Sequence, residues 1–194
     1  MFLEGVVIVW PAVYGTIIGA ILLGMILGSI LMILRWKNKK KAILFAKEQK
    51  YSASIEILNK VASSRTISKM ELSEVHMILA VMYLILSNEE QFLDSIAKVS
   101  YKEHLTLKSF WKSLYYLEKK DMTNYEKSKE NIAKNFNLNC KTRNENQDSL
   151  NTYHLILQLL EEKEKVEKQE ELRNLCQTFC ETKILLKEYL SKFF

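Results

Sequence analysis

The chain has 194 residues, 48% hydrophobic and 26% charged, with a formal charge of +5. That length holds one soluble core of ordinary size beside a membrane segment and argues against a second independent domain. The basic excess is local: with Arg35, Lys37, Lys39, Lys40 and Lys41 set aside, residues 42–194 carry 23 basic against 22 acidic side chains, which excludes a basic body built for nucleic acid.

In chain order, the first element is a membrane helix. Gly5 through Leu34 carries no charged residue, whereas about 20 apolar residues suffice to cross a bilayer. Pro11 fits the first turn, where its missing N–H costs little, so the span is expected over residues 11–36 behind a short segment, 1–10. Trp10 and Trp36 bracket it as interfacial anchors. Glu4 in place of a basic leader, the length of the apolar run and the lack of a small-x-small site argue against a cleaved signal peptide. The flanking "RWKNKKK" predicts an outside amino terminus and a cytosolic remainder, placing the protein in the inner (cytoplasmic) membrane as a single-pass chain. Arg35, Lys37, Lys39, Lys40 and Lys41 would also attract anionic lipid, at about 1 kcal/mol each.

All five glycines lie in the first 28 residues. Ala12, Thr16, Ala20, Gly24 and Gly28 recur every fourth residue, and Gly15 and Gly19 form a second line beside them. Stripes of small residues let helices approach closely in lipid, so this face is expected to pack against another membrane protein or against a second copy of the chain.

After Gly28 there is neither glycine nor proline, which predicts an all-α remainder with few left-handed turns. Four S/T-x-x-E matches read as capping boxes: Ser68 with Glu71, Ser87 with Glu90, Ser100 with Glu103 and Thr123 with Glu126, with Asn144 and Gln147 as a weaker fifth. They place the membrane helix's continuation to about residue 50, then helices near 52–63, 69–86, 88–99, 102–120, 123–136, 147–168 and 170–192. The segment "EEKEKVEKQEELR" pairs Glu161 with Lys165 and Glu164 with Lys168 as a self-supporting exposed helix or the turn of a final hairpin. The terminal helix is amphipathic, with Leu175, Phe179, Ile184, Leu185, Leu186, Tyr189, Leu190 and Phe193. It either caps the domain or reaches the bilayer or a partner.

In and just before "ILFAKEQKYSASIEILNKVA", the residues Ala42, Phe45, Tyr51, Ser54, Leu58 and Val61 form a set of small, aromatic and aliphatic side chains. Ala80, Tyr83, Phe92 and Ile96 offer it again with a shifted offset, and Ser113, Tyr116 and Asp121 a third time. On these residues the chain resembles the tetratricopeptide family over about 38–136, although it lacks that family's turn glycine and closing proline. The resemblance implies an antiparallel helical-hairpin (TPR-like) repeat domain over 37–143, followed by a capping hairpin over 144–194. It also implies a groove for protein partners lined by exposed side chains on the first helix of each pair. Phe45, Tyr51, Tyr83, Phe92, Trp111 and Tyr116 are expected as repeat packing residues, and buried aromatics at this spacing are ordinary core.

His76, His104 and His154 are too far apart in sequence for metal-ligand spacing, and Cys176 with Cys180 lacks two further ligands. Three cysteines, the third being Cys140, make no disulfide framework and fit a reducing compartment. There is no phosphate loop, nucleophile elbow or metal-binding helix motif. The sequence therefore predicts no enzyme, no cofactor, no metal, no nucleic acid and no small-molecule substrate. It points to a membrane-anchored scaffold or adaptor for a protein partner, or to a dedicated subunit of a bacterial membrane complex (secretion, transport or flagellar motor) recognised through its span.

Overall fold

A computed structural model describes residues 4–139, 143–178 and 184–193, with side chains for residues 18, 20–137, 147–178 and 184–193. The described residues are all helical, with no strand among them. The helices are α1 (Glu4–Lys47), α2 (Tyr51–Ala62), α3 (Lys69–Ile85), α4 (Glu89–Lys98), α5 (Leu105–Glu118), α6 (Met122–Asn139), α7 (Arg143–Glu161), α8 (Val166–Gln177) and α9 (Ile184–Leu190). Helix α1 has 44 residues, about 66 Å at 1.5 Å per residue. It starts at Glu4, so Pro11 lies inside it and not in its first turn.

Over Ala20–Lys47, α1 is long and apolar enough to cross a membrane, with a mean hydropathy of 1.8 in a window of which nothing is buried. Past Leu34 the same helix enters the folded body. Ala42 and Ala46 bury against α2, and the Ser54 hydroxyl donates to the Ala42 carbonyl at 2.7 Å. Two ion pairs tie its first charged turns to α3: Arg35 to Glu71 at 3.5 Å and Lys39 to Glu74 at 2.8 Å. α1 packs on α2, α3 on α4, and α5 on α6. One core runs through Val81, Phe92, Phe110, Trp111, Tyr125, Ile156, Leu172 and Tyr189, and a second joins Ala42, Leu58, Val61, Val75 and Leu79.

Three of the turns share one geometry. Gln49, Ser87 and Lys120 adopt left-handed backbone at φ 59°, 58° and 58°. In each turn the following N–H donates back five residues: Lys50 to Phe45, Asn88 to Tyr83 and Asp121 to Tyr116, at 2.8, 2.8 and 2.9 Å. The left-handed residue's own N–H donates to Ala46, Leu84 or Leu117, at 3.1 Å each time. This is the Schellman closure that glycine normally serves. The expectation that a glycine-free chain avoids left-handed turns is therefore corrected. The hydrogen-bonded closure, repeated three times, offsets the 1–2 kcal/mol, roughly, that a side chain pays in this conformation.

The turns also set the register of the helices on either side. Ala42, Ala80 and Ser113, three residues before the aromatic of each turn, are all 0% exposed. Ser54, Phe92 and Tyr125, nine residues after that aromatic, are buried too, so the shifted offset expected for the second unit is not observed.

Capping differs from the sequence expectation in three of four cases. Ser68 accepts from the Glu71 N–H at 3.1 Å as expected. Ser87 is taken by the left-handed turn, and Asn88 caps α4 by accepting from Gln91. Asp121 caps α6 by accepting from Asn124, which leaves Thr123 inside the helix. Ser100 precedes a short 3-10 turn at Lys102–His104, and α5 begins at Leu105 without a side-chain cap. Asn144 and Gln147 fall inside α7, with the Asn144 side chain outside the described residues.

The carboxy-terminal helices also break differently. The expected 147–168 helix ends at Glu161, and 170–192 divides into α8 and α9. The acidic-basic segment contains the α7–α8 turn, where Lys165 pairs with Glu162 and Lys168 with Glu171. Glu161 is drawn away to Lys129 and the Tyr125 hydroxyl.

Candidate binding groove

Helices α1, α3 and α5 present one face to a common groove, with α7 and α9 closing it. The cavity measures about 520 Å³, within the 300–1,000 Å³, roughly, of ligand sites. Its lining comes from Ile43, Ala46 and Lys47 of α1, Met77, Ile78 and Val81 of α3, and Leu107, Phe110 and Trp111 of α5, with Tyr153 of α7 and Ile184, Leu185 and Leu186 of α9. Apolar recognition dominates such a surface. Tyr153 stacks on Phe110 with ring centroids 4.3 Å apart, and burial pushes its phenol above the ordinary range, keeping it a neutral donor.

The other candidate surface is the apolar half of α1. A Cβ added at Gly24 or Gly28 would meet nothing within 4 Å, and Ala20 is exposed, so this part of the small-residue face lies open. Ala12, Gly15, Thr16 and Gly19 lie within the helix, but their surroundings are outside the described residues, as is the Trp10 side chain. Trp36 is exposed at the other end of the span, with the Lys40 ammonium 3.8 Å from its ring. Of the five cations read as a lipid-facing cluster, Arg35 and Lys39 turn toward α3 as ion-pair partners, while Lys37, Lys40 and Lys41 are exposed.

The aromatic residues expected to pack divide by position. Tyr51, Phe92 and Trp111 are buried, whereas Phe45, Tyr83 and Tyr116, the acceptors of the three turns, are half-buried. Tyr125 and Tyr189 are fully buried as well and were not legible as site residues. Cys176 is buried, and that burial raises its thiol pKa to about 11, so it is an inert thiol at neutral pH. Cys140 and Cys180 lie outside the described residues. Among the described residues no group of three His, Cys, Asp or Glu side chains is placed to hold a metal ion. No family model matches the chain, and no curated protein or solved structure matches it either.

Proposed function

We propose that this chain is a single-pass membrane adaptor that holds a partner protein at the cytosolic face of the membrane. The observation that carries the reading is that one helix is both the exposed apolar stretch and a wall of the groove: Ile43, Ala46 and Lys47 line it about two and a half to three and a half turns past Leu34. The cationic flank "RWKNKKK" favours the cytosolic side for everything after it. Three alike turns, with Ala42, Ala80 and Ser113 buried in one register, support a TPR-like repeat arrangement. In such an arrangement the first helices form the face that takes peptides or helices. Anchoring removes translational freedom, so a modest groove affinity acts through raised local concentration.

A second reading, a dedicated subunit recognised through its span, is favoured by the open face at Gly24 and Gly28. One experiment separates the two. Full-length protein is purified in mild detergent beside an Ile43→Gln, Ile78→Gln groove variant and a Gly24→Leu, Gly28→Leu span variant, and co-purifying proteins are identified by mass spectrometry. Loss of the partner from the groove variant alone supports the adaptor. Loss from the span variant alone overturns it in favour of the subunit.

A further inference from the structure

The segment that shares the groove is the chain's own. Helix α9 buries Leu186, Tyr189 and Leu190 against the body and leaves the cavity beside its first turn. Together with the 3-10 turn Ser191–Phe193 that follows it, it is held by one polar bond to the carboxyl end of each of three first helices. Gln49, just past α1, donates to Glu188 at 3.2 Å. Lys192 donates to the Leu84 carbonyl of α3 at 3.2 Å, and the Tyr189 hydroxyl donates to Glu118 of α5 at 2.6 Å. Gln49, Leu84 and Glu118 all belong to the three alike turns. A helix that merely shields a core edge needs apolar contact only. Three directional bonds to the carboxyl ends of three different helices fix a register and select particular side chains. That is how a groove reads an amphipathic helix: apolar anchors at i, i+3 and i+4 fill it, and polar groups specify it.

We propose that α9 is a resident ligand of the groove, displaced by a partner helix that carries the same pattern, Leu-x-x-Tyr-Leu-x-Lys, as Leu186, Tyr189, Leu190 and Lys192 present it. The inference rests on the adaptor reading and adds to it the partner's chemistry and a cis competitor. While α9 is seated, the apparent affinity for any other helix falls in proportion to the fraction of molecules with the groove open. A helix lacking the tyrosine leaves Glu118 without its hydroxyl partner and competes poorly.

The test uses the full chain in detergent micelles and a fluorescein-labelled peptide of residues 184–194 as the probe. A Tyr189→Phe, Lys192→Met variant removes two of the three bonds and keeps the apolar packing. Hydrogen exchange is expected to quicken over 184–193 while α3 and α5 stay protected, and the peptide is expected to bind this variant at least ten-fold more tightly than wild type. Adding Glu118→Gln should weaken that binding at least three-fold, because the peptide's tyrosine then meets a poorer acceptor. Exchange that quickens in α3 and α5 together with α9 would show α9 to be an integral part of the core and overturn the proposal. So would release of α9 with no gain in peptide affinity. Partner loss from the Ile43→Gln, Ile78→Gln variant tests the adaptor reading separately, so a groove that keeps its partner but ignores the peptide sinks only the resident-ligand inference.

Discussion

The two halves of α1 are one helix in two environments. From Ala20 to Leu34 its side chains are exposed, and Leu27 keeps 52% of its surface open, whereas Ala42 and Ala46 are buried under α2. Among the described residues the more apolar half packs against nothing, and the half with six cations carries a wall of the core. Hydrophobicity alone thus does not say which residues pack together. A helix that is apolar all round needs an apolar solvent, and one with a small-residue stripe between charged edges needs a neighbouring helix.

The largest expected effects set those halves against each other. Leu27→Lys is expected to raise the cost of inserting the span by about 3–4 kcal/mol, read as the inserted fraction in a glycosylation-tag assay, with no change in the domain's unfolding midpoint. Leu79→Ala should do the reverse: at 2% exposure the truncation costs about 2–5 kcal/mol in urea unfolding and leaves insertion alone. A loss of domain stability in Leu27→Lys would show that the two halves fold as one unit.

A smaller gain is expected at the left-handed turns. Lys120→Gly, at φ 58°, should stabilise the domain by about 1 kcal/mol in the same assay, since glycine adopts that backbone without the side-chain penalty. Weaker still is the clamp between α1 and α3. Glu71→Gln and Glu74→Gln should each cost about 0.5–1 kcal/mol, because the pairs with Arg35 and Lys39 are partly exposed. Their effect should appear as faster exchange at the start of α3.

The pH response is the smallest effect expected. Burial, helped by the nearby Lys98 charge and opposed by Asp94, holds the His76 imidazole below its ordinary pKa. As pH falls through about 6.5 the unfolded chain takes up a proton that the folded chain refuses. Stability is therefore fully present above that pH and declines below it. His76→Gln should remove this part of the slope in a pH series of urea midpoints.

The long apolar helix and the all-α class were legible because each is a matter of composition, and the small residues Ala42, Ala80 and Ser113 were singled out by the resemblance stated from the sequence. The left-handed turns were not. Gln49, Ser87 and Lys120 carry no local signal, and tertiary packing holds them in a backbone region their side chains disfavour. Ser87 illustrates the conflict: its S-x-x-E match competes with the turn, the turn prevails, and Asn88 takes over the cap one residue later. A groove on the first helices was an expectation of the resemblance, but the side chains that line it stayed hidden for another reason. Ile43, Met77 and Phe110 are as apolar as core residues, and sequence spacing does not distinguish a side chain facing a cavity from one facing a neighbour. The break between α8 and α9 was invisible because an amphipathic period runs through both.

The ion pairs of Arg35 and Lys39 with α3, set on an uninterrupted helix, make the span and the groove a single shaft. Each residue inserted between Leu34 and Arg35 would turn the domain by about 100° and lift it by about 1.5 Å. Rotation of the span about its own axis would reach the groove without slack. The phase of the helix at the end of its exposed apolar stretch therefore sets the compass bearing in which the groove faces its surroundings.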